Sequence, residues 1–170
     1  MEESAIREFL IWLELTSVGS FVRESPSLLA YPTVLFLHTL GLGLLVGGSA
    51  VINLRLFGVA SGVAVKPLRR LFTVMWIGLV LNVFSGGLLL LADASTKLIN
   101  PIFYIKLGFI AAALACVWMI DKKVFRNDGF QDASIPTNVR ALAGISLFCW
   151  VAATTAGRLM AYIGPVSGLY

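Results

Sequence analysis

Four stretches of the chain stay apolar long enough to cross a bilayer: about Pro32–Leu54, Leu71–Ala92, Ile102–Ile120 and Val139–Ile163. A span takes about 20 helical residues at ~1.5 Å each, and backbone in hydrocarbon must satisfy its own hydrogen bonds, so each stretch is predicted as a helix. None alternates with period two, which disfavours a membrane barrel. Ahead of them, Ile6, Phe9, Leu10 and Leu13 recur at helical spacing, with Arg7, Glu8 and Glu14 on the other side. This segment with its linker, residues 1–25, is expected to be an amphipathic helix lying at the membrane interface, or alternatively a cap packed over the bundle. Glu2 and Glu3 stand where a cleaved leader would carry positive charge. Residues 26–170 then form the transmembrane domain. The predicted fold is all-α: an antiparallel four-transmembrane-helix bundle with an N-terminal amphipathic helix.

Composition agrees with that pattern. The 170 residues are 58% hydrophobic and 13% charged, against about 45–50% and 25% for soluble domains. This excludes a disordered chain and argues against a free cytosolic enzyme. One His and two Cys exclude a multi-ligand zinc or iron–sulfur centre built within the chain. Cys116 and Cys149 fall mid-span, where they serve as small apolar residues. No nucleophile–base pair, phosphate loop or carboxylate dyad stands out, so the residues point away from an enzyme acting on its own.

Eight of the thirteen Lys and Arg residues fall between spans one and two (Arg55, Lys66, Arg69, Arg70) or between spans three and four (Lys122, Lys123, Arg126, Arg140). The positive-inside rule makes those connections cytoplasmic, giving a multi-pass protein of a bacterial inner membrane with both termini periplasmic. The net charge of +4 then reflects topology, and no nucleic-acid partner is expected.

Ionisable groups inside a span cost about 2.5–3.5 kcal/mol each on insertion scales and mark functional positions by default. Three occur: His38, Lys106 and Arg158. With the predicted spans, all three lie roughly 5–10 Å below the periplasmic boundary, on three different helices. Thr154, Arg158 and Tyr162 share a stripe of the fourth helix. Asn82, Gly86 and Asp93, with Ser85 beside them, share a side of the second, and Asp93 is the expected counter-ion for Lys106 or Arg158. Lys and Arg near helix ends also snorkel, which is the plainer reading of both. His38 is either a packing residue or a functional one, as a ligand to haem iron or copper or as a proton acceptor. Gly41, one turn on, would leave room for a flat ring, whereas Gly43 and Gly47 form a close-packing face for another helix. Asn53 and Arg55 are expected to clasp the cytoplasmic connection.

His38-Thr-Leu-Gly41 leading to Asn53-Leu-Arg55-Leu-Phe-Gly58, Phe103-Tyr-Ile-Lys106, and Trp150 through Gly157-Arg158-Leu-Met-Ala161-Tyr162 resemble a family of bacterial four-helix integral membrane proteins classed as a domain of unknown function. That family is loosely linked to CopD-like and cytochrome-b-like membrane proteins. Its members commonly carry Asp where this chain has Asn53. The resemblance implies metal, haem or electron-transfer work. The expectation is an inner-membrane subunit with a cationic pocket, built from His38, Gly41, Lys106, Arg158, Tyr162 and Asp93. The pocket would hold haem b or an anionic ligand, with His38 as the metal ligand and a periplasmic redox partner. Alternatives are an accessory or anchoring subunit, in a homo-oligomer or a larger complex, and a small anion or copper transporter.

Overall fold

The computed structural model describes residues 2–59, 61–126, 135–160 and 162. The glycine turn of the last hydrophilic connection (Asp128-Gly129) and the end of the predicted fourth span at Ile163 lie outside them, as does Ala161. The elements are α1 (Glu2–Glu14), α2 (Ser17–Glu24), α3 (Tyr31–Phe57), α4 (Arg70–Leu91), a single turn α5 (Ala94–Lys97), α6 (Pro101–Ile120) and α7 (Thr137–Leu159). A 3-10 turn, Lys66–Arg69, leads into α4, and a π turn, Asp121–Phe125, extends α6. Among the described residues there is no strand.

Helices α3, α4, α6 and α7 are long and apolar enough to cross a membrane. The chain is a multi-pass membrane protein with the predicted all-α architecture. Local chemistry sets the boundaries. Pro32 occupies the first turn of α3, where its missing N–H costs nothing. At the other end Gly58, with φ 110°, closes α3: its N–H bonds the Arg55 carbonyl at 3.2 Å and the Val59 N–H bonds the Leu54 carbonyl at 3.0 Å. That left-handed closure is a Schellman motif, which favours glycine. Asn100 caps α6 by accepting the Ile102 N–H at 2.9 Å, with Pro101 next.

In cross-section α3 and α7 are neighbours, α4 packs on α3, and α6 packs on α7. Helix α7 is the most buried span, because Ala143, Ser146, Ala153 and Ala156 leave little side chain between it and its neighbours. Helices α3 and α4 come into close backbone contact at Gly41 and Gly78, where a β-carbon on either residue would come within 2.9 Å of the other's carbonyl.

Asn53, Ser49, Ser146 and Trp150 form a buried polar knot between α3 and α7. The Asn53 amide reaches Ser49 and Ser146 at 3.0 and 2.9 Å, and the Trp150 indole N–H donates to Ser49 at 2.9 Å. Of the two residues expected to clasp the following connection, only Arg55 does so, donating to the Val63 carbonyl. Asn53 faces the helix interface instead, since its i−4 neighbour is a serine on the buried face. Cys116 and Cys149 are buried free thiols.

Antiparallel spans give the bundle two ends. The basic end carries the α3–α4 and α6–α7 connections, and the cap end carries α1, α2 and α5. Helix α1 packs on α5, with Glu14 bonded to Ser95 and Leu10 buried, leaving Ile6, Phe9 and Trp12 more than half exposed. The two readings of this segment therefore combine: it caps the bundle and offers an apolar face to its surroundings.

Candidate functional site at the cap end

The His38 ring on α3 lies against Ser85 and Gly86 of α4. Its Nδ1 is 3.1 Å from Ser85 Oγ, and a β-carbon at Gly86 would sit 3.2 Å from its Cε1. Ser85 Oγ is also 2.5 Å from the Leu81 carbonyl of its own helix. A hydroxyl has one proton, and a carbonyl can only accept. The Ser85 proton therefore goes to Leu81, and His38 must donate from Nδ1 to Ser85. With Nδ1 donating, Nε2 is the ring's acceptor nitrogen, and the Asn82 backbone also lies within hydrogen-bonding reach of the ring.

Lys106 of α6 reaches across α7. Its Cδ, Cε and Nζ pack over Gly157, each 3.6–3.7 Å from where a β-carbon would stand. Its charge acts on the His38 ring, as does that of Lys97. His38 on α3 and Lys106 on α6 both stand in the half of the bundle toward the cap end. Among the described residues Lys106 has no ion pair.

The other expected members stand elsewhere. Gly41 is no slot for a ring: a β-carbon there would meet Asn82 Nδ2 at 2.7 Å and the Gly78 carbonyl at 2.9 Å, so α4 fills the space. A haem macrocycle does not fit against this position. Asp93 lies beyond α4 and pairs with Lys97, Oδ2 to Nζ 3.6 Å, rather than with Lys106 or Arg158. Helix α7 ends at Leu159, so Arg158 occupies its last, exposed turn, where a cation complements the helix dipole. Tyr162 falls past the helix and is 66% exposed. Thr154 turns its hydroxyl onto the Trp150 and Val151 carbonyls of its own helix. The stripe expected to extend from Thr154 to Tyr162 is therefore not a pocket wall.

Lys97 and Glu14 complete the cap end. Lys97 donates to the Leu89 carbonyl at 2.7 Å, covering one of the carbonyls that the last turn of α4 leaves unpaired. Burial pulls its ammonium below the usual lysine range, against the opposing pull of Asp93. Glu14, assigned to the polar side of α1, is buried. Its Oε1 accepts the Ser95 N–H at 2.7 Å, and its Oε2 pairs with Arg23 at 3.1 Å. The one available signal was its i+4 spacing from Leu10. Among the described residues no three His, Cys, Asp or Glu side chains surround a common point.

No family model, curated protein or solved structure matches this chain.

Proposed function

We propose that this protein is a non-enzymatic membrane subunit holding an anionic ligand at its cap end. Lys106 binds the oxyanion, and His38 presents Nε2 beside it to accept a hydrogen bond. The observation that carries this reading is the unpaired ammonium. A charge inside a span ordinarily has a partner, and Asp93, the counter-ion the sequence suggested, is engaged by Lys97. A carboxylate or phosphate on the ligand supplies the missing negative charge. Sidedness follows the charge distribution, with the basic end in the cytoplasm and the ligand entering from the periplasmic leaflet of a bacterial inner membrane. The haem b version has less support, because α4 occupies the space at Gly41.

The test is native mass spectrometry of delipidated protein titrated with a medium-chain fatty carboxylate, read beside an oxidised and a dithionite-reduced absorbance spectrum. Wild type should bind the carboxylate, Lys106→Met should lose at least ten-fold in affinity, and no Soret band should appear. Equal binding by Lys106→Met rejects the reading, and a Soret band restores haem.

A second reading, an accessory subunit that packs on another membrane protein or on a second copy, is favoured by Gly43 and Gly47. A β-carbon at either would meet nothing within 4 Å, so this face of α3 is open. A lone monomer under gentle solubilisation would count against it.

A further inference from the structure

At the basic end, a cleft of about 730 Å³ opens between the start of α4 and the π turn after α6. Its cationic wall is Lys66, Arg69 and Arg70, and across from them stand Asp121 and Arg126. The single acid is already engaged, because Arg126 Nε lies 2.7 Å from Asp121 Oδ2. Among the described residues Lys66, Arg69 and Arg70 have no ion pair, so within that set three positive charges face the cleft without an acidic partner. Its shape is held by Phe72, whose ring meets Phe125 edge-on at 5.1 Å and ties α4 to the π turn.

Trp76 gives the cleft an apolar side. It stands six residues into α4, about 9 Å deeper along the helix than Arg70, and is 61% exposed. Below it Val80, Val83 and Phe84, all more than 60% exposed, continue an apolar strip along the same helix. An occupant of this cleft therefore meets cations at its head and a hydrocarbon-facing wall along its tail. Guanidinium forks match phosphate oxygens in two-pronged geometry, and basic pockets at this level of a helical membrane protein suit lipid head groups.

We infer that this cleft is a binding site for the phosphate head group of an anionic phospholipid, held by Lys66, Arg69 and Arg70, with its acyl chains along Trp76 and the strip below. The shared chemistry is a phosphate oxyanion, and a soluble phosphate ester is the other source. The apolar strip favours the lipid. This inference is independent of the cap-end reading, since no residue is common to both.

The experiment uses the full chain in nanodiscs and in detergent. Native mass spectrometry measures retention of dioleoylphosphatidylglycerol against dioleoylphosphatidylcholine, and a brominated phosphatidylglycerol reports proximity by quenching tryptophan fluorescence. The Arg69→Gln/Arg70→Gln pair should lower phosphatidylglycerol affinity at least ten-fold. Lys123→Gln/Arg140→Gln, which removes two charges from the same end outside the cleft, should change it less than two-fold. If the first pair does not fold, Lys66→Gln alone should still lower affinity several-fold, and Trp76→Phe should reduce the quenching. Equal losses in the cleft and control variants would reduce the effect to general surface charge and overturn the site. Displacement of the lipid by millimolar glycerol 3-phosphate or inorganic phosphate would overturn the lipid in favour of a soluble ester.

Discussion

Glu14 and Ser95, 81 positions apart, are joined by a 2.7 Å hydrogen bond from the Ser95 N–H to the Glu14 carboxylate, with Arg23 on its second oxygen. This contact ties α1 and α2 to the short connection between α4 and α6. Hydrogen bonds to a charged group are worth about 1.5–3 kcal/mol, so Glu14→Ala should release the cap by a similar amount. Faster hydrogen exchange over residues 5–24, with the four spans unchanged, is the expected readout. Burial alone would raise the carboxyl pKa, but hydrogen bonding from Ser95 and the Arg23 charge overcome it and leave the group below its ordinary 4.5. Its contribution is therefore complete above about pH 4.5 and fades as pH falls through the lowered value. Exchange in the cap should accelerate on acidification in wild type and show less of that dependence in Glu14→Ala.

Lys97 has a paired pH signature. Its lowered pKa means the unfolded chain binds the proton more readily just below the ordinary 10.5. Stability should therefore rise with pH as that value is approached from below, and the rise should vanish in Lys97→Met. The same variant uncovers the Leu89 carbonyl, with an expected cost of about 0.5–1.5 kcal/mol in thermal or denaturant unfolding.

The glycines of α3 should divide into two classes. Gly41→Ala pushes a β-carbon against the backbone of α4 and should cost about 1–3 kcal/mol, since overpacking here forces the helices apart. Gly43→Ala and Gly47→Ala meet open space in the monomer, where alanine's higher helix propensity makes them neutral or slightly stabilising. If either lowers stability only in the oligomeric fraction, that face is an interface.

The Ser85 hydroxyl fixes the His38 tautomer. Ring nitrogen-15 spectra should show the proton on Nδ1 and the lone pair on Nε2 in wild type. Ser85→Ala should give a mixture of tautomers and weaken ligand binding several-fold without unfolding the bundle. An unchanged spectrum in Ser85→Ala would remove the serine from this role.

Fold class was written in one dimension. Each span satisfies its own backbone, so its existence depends on residues within about 25 positions of one another, and Pro32, Gly58 and Asn100 mark ends by local geometry. That His38 and Lys106 lie toward the same end of the bundle was also legible, because depth along a helix follows from counting residues once the spans are placed. Which neighbour fills a gap and which cation takes an acid depend on helix rotation and crossing, and only the packed structure decides those. For that reason Gly41 proved to be a contact with α4, Asp93 went to Lys97, and Glu14 moved from an imagined wet face into a buried clamp. Arg158 fell in the exposed last turn of α7, which ends at Leu159. A hydrophobicity pattern shows which residues can cross a membrane, but side-chain partners are set by distances across helices that no linear spacing encodes.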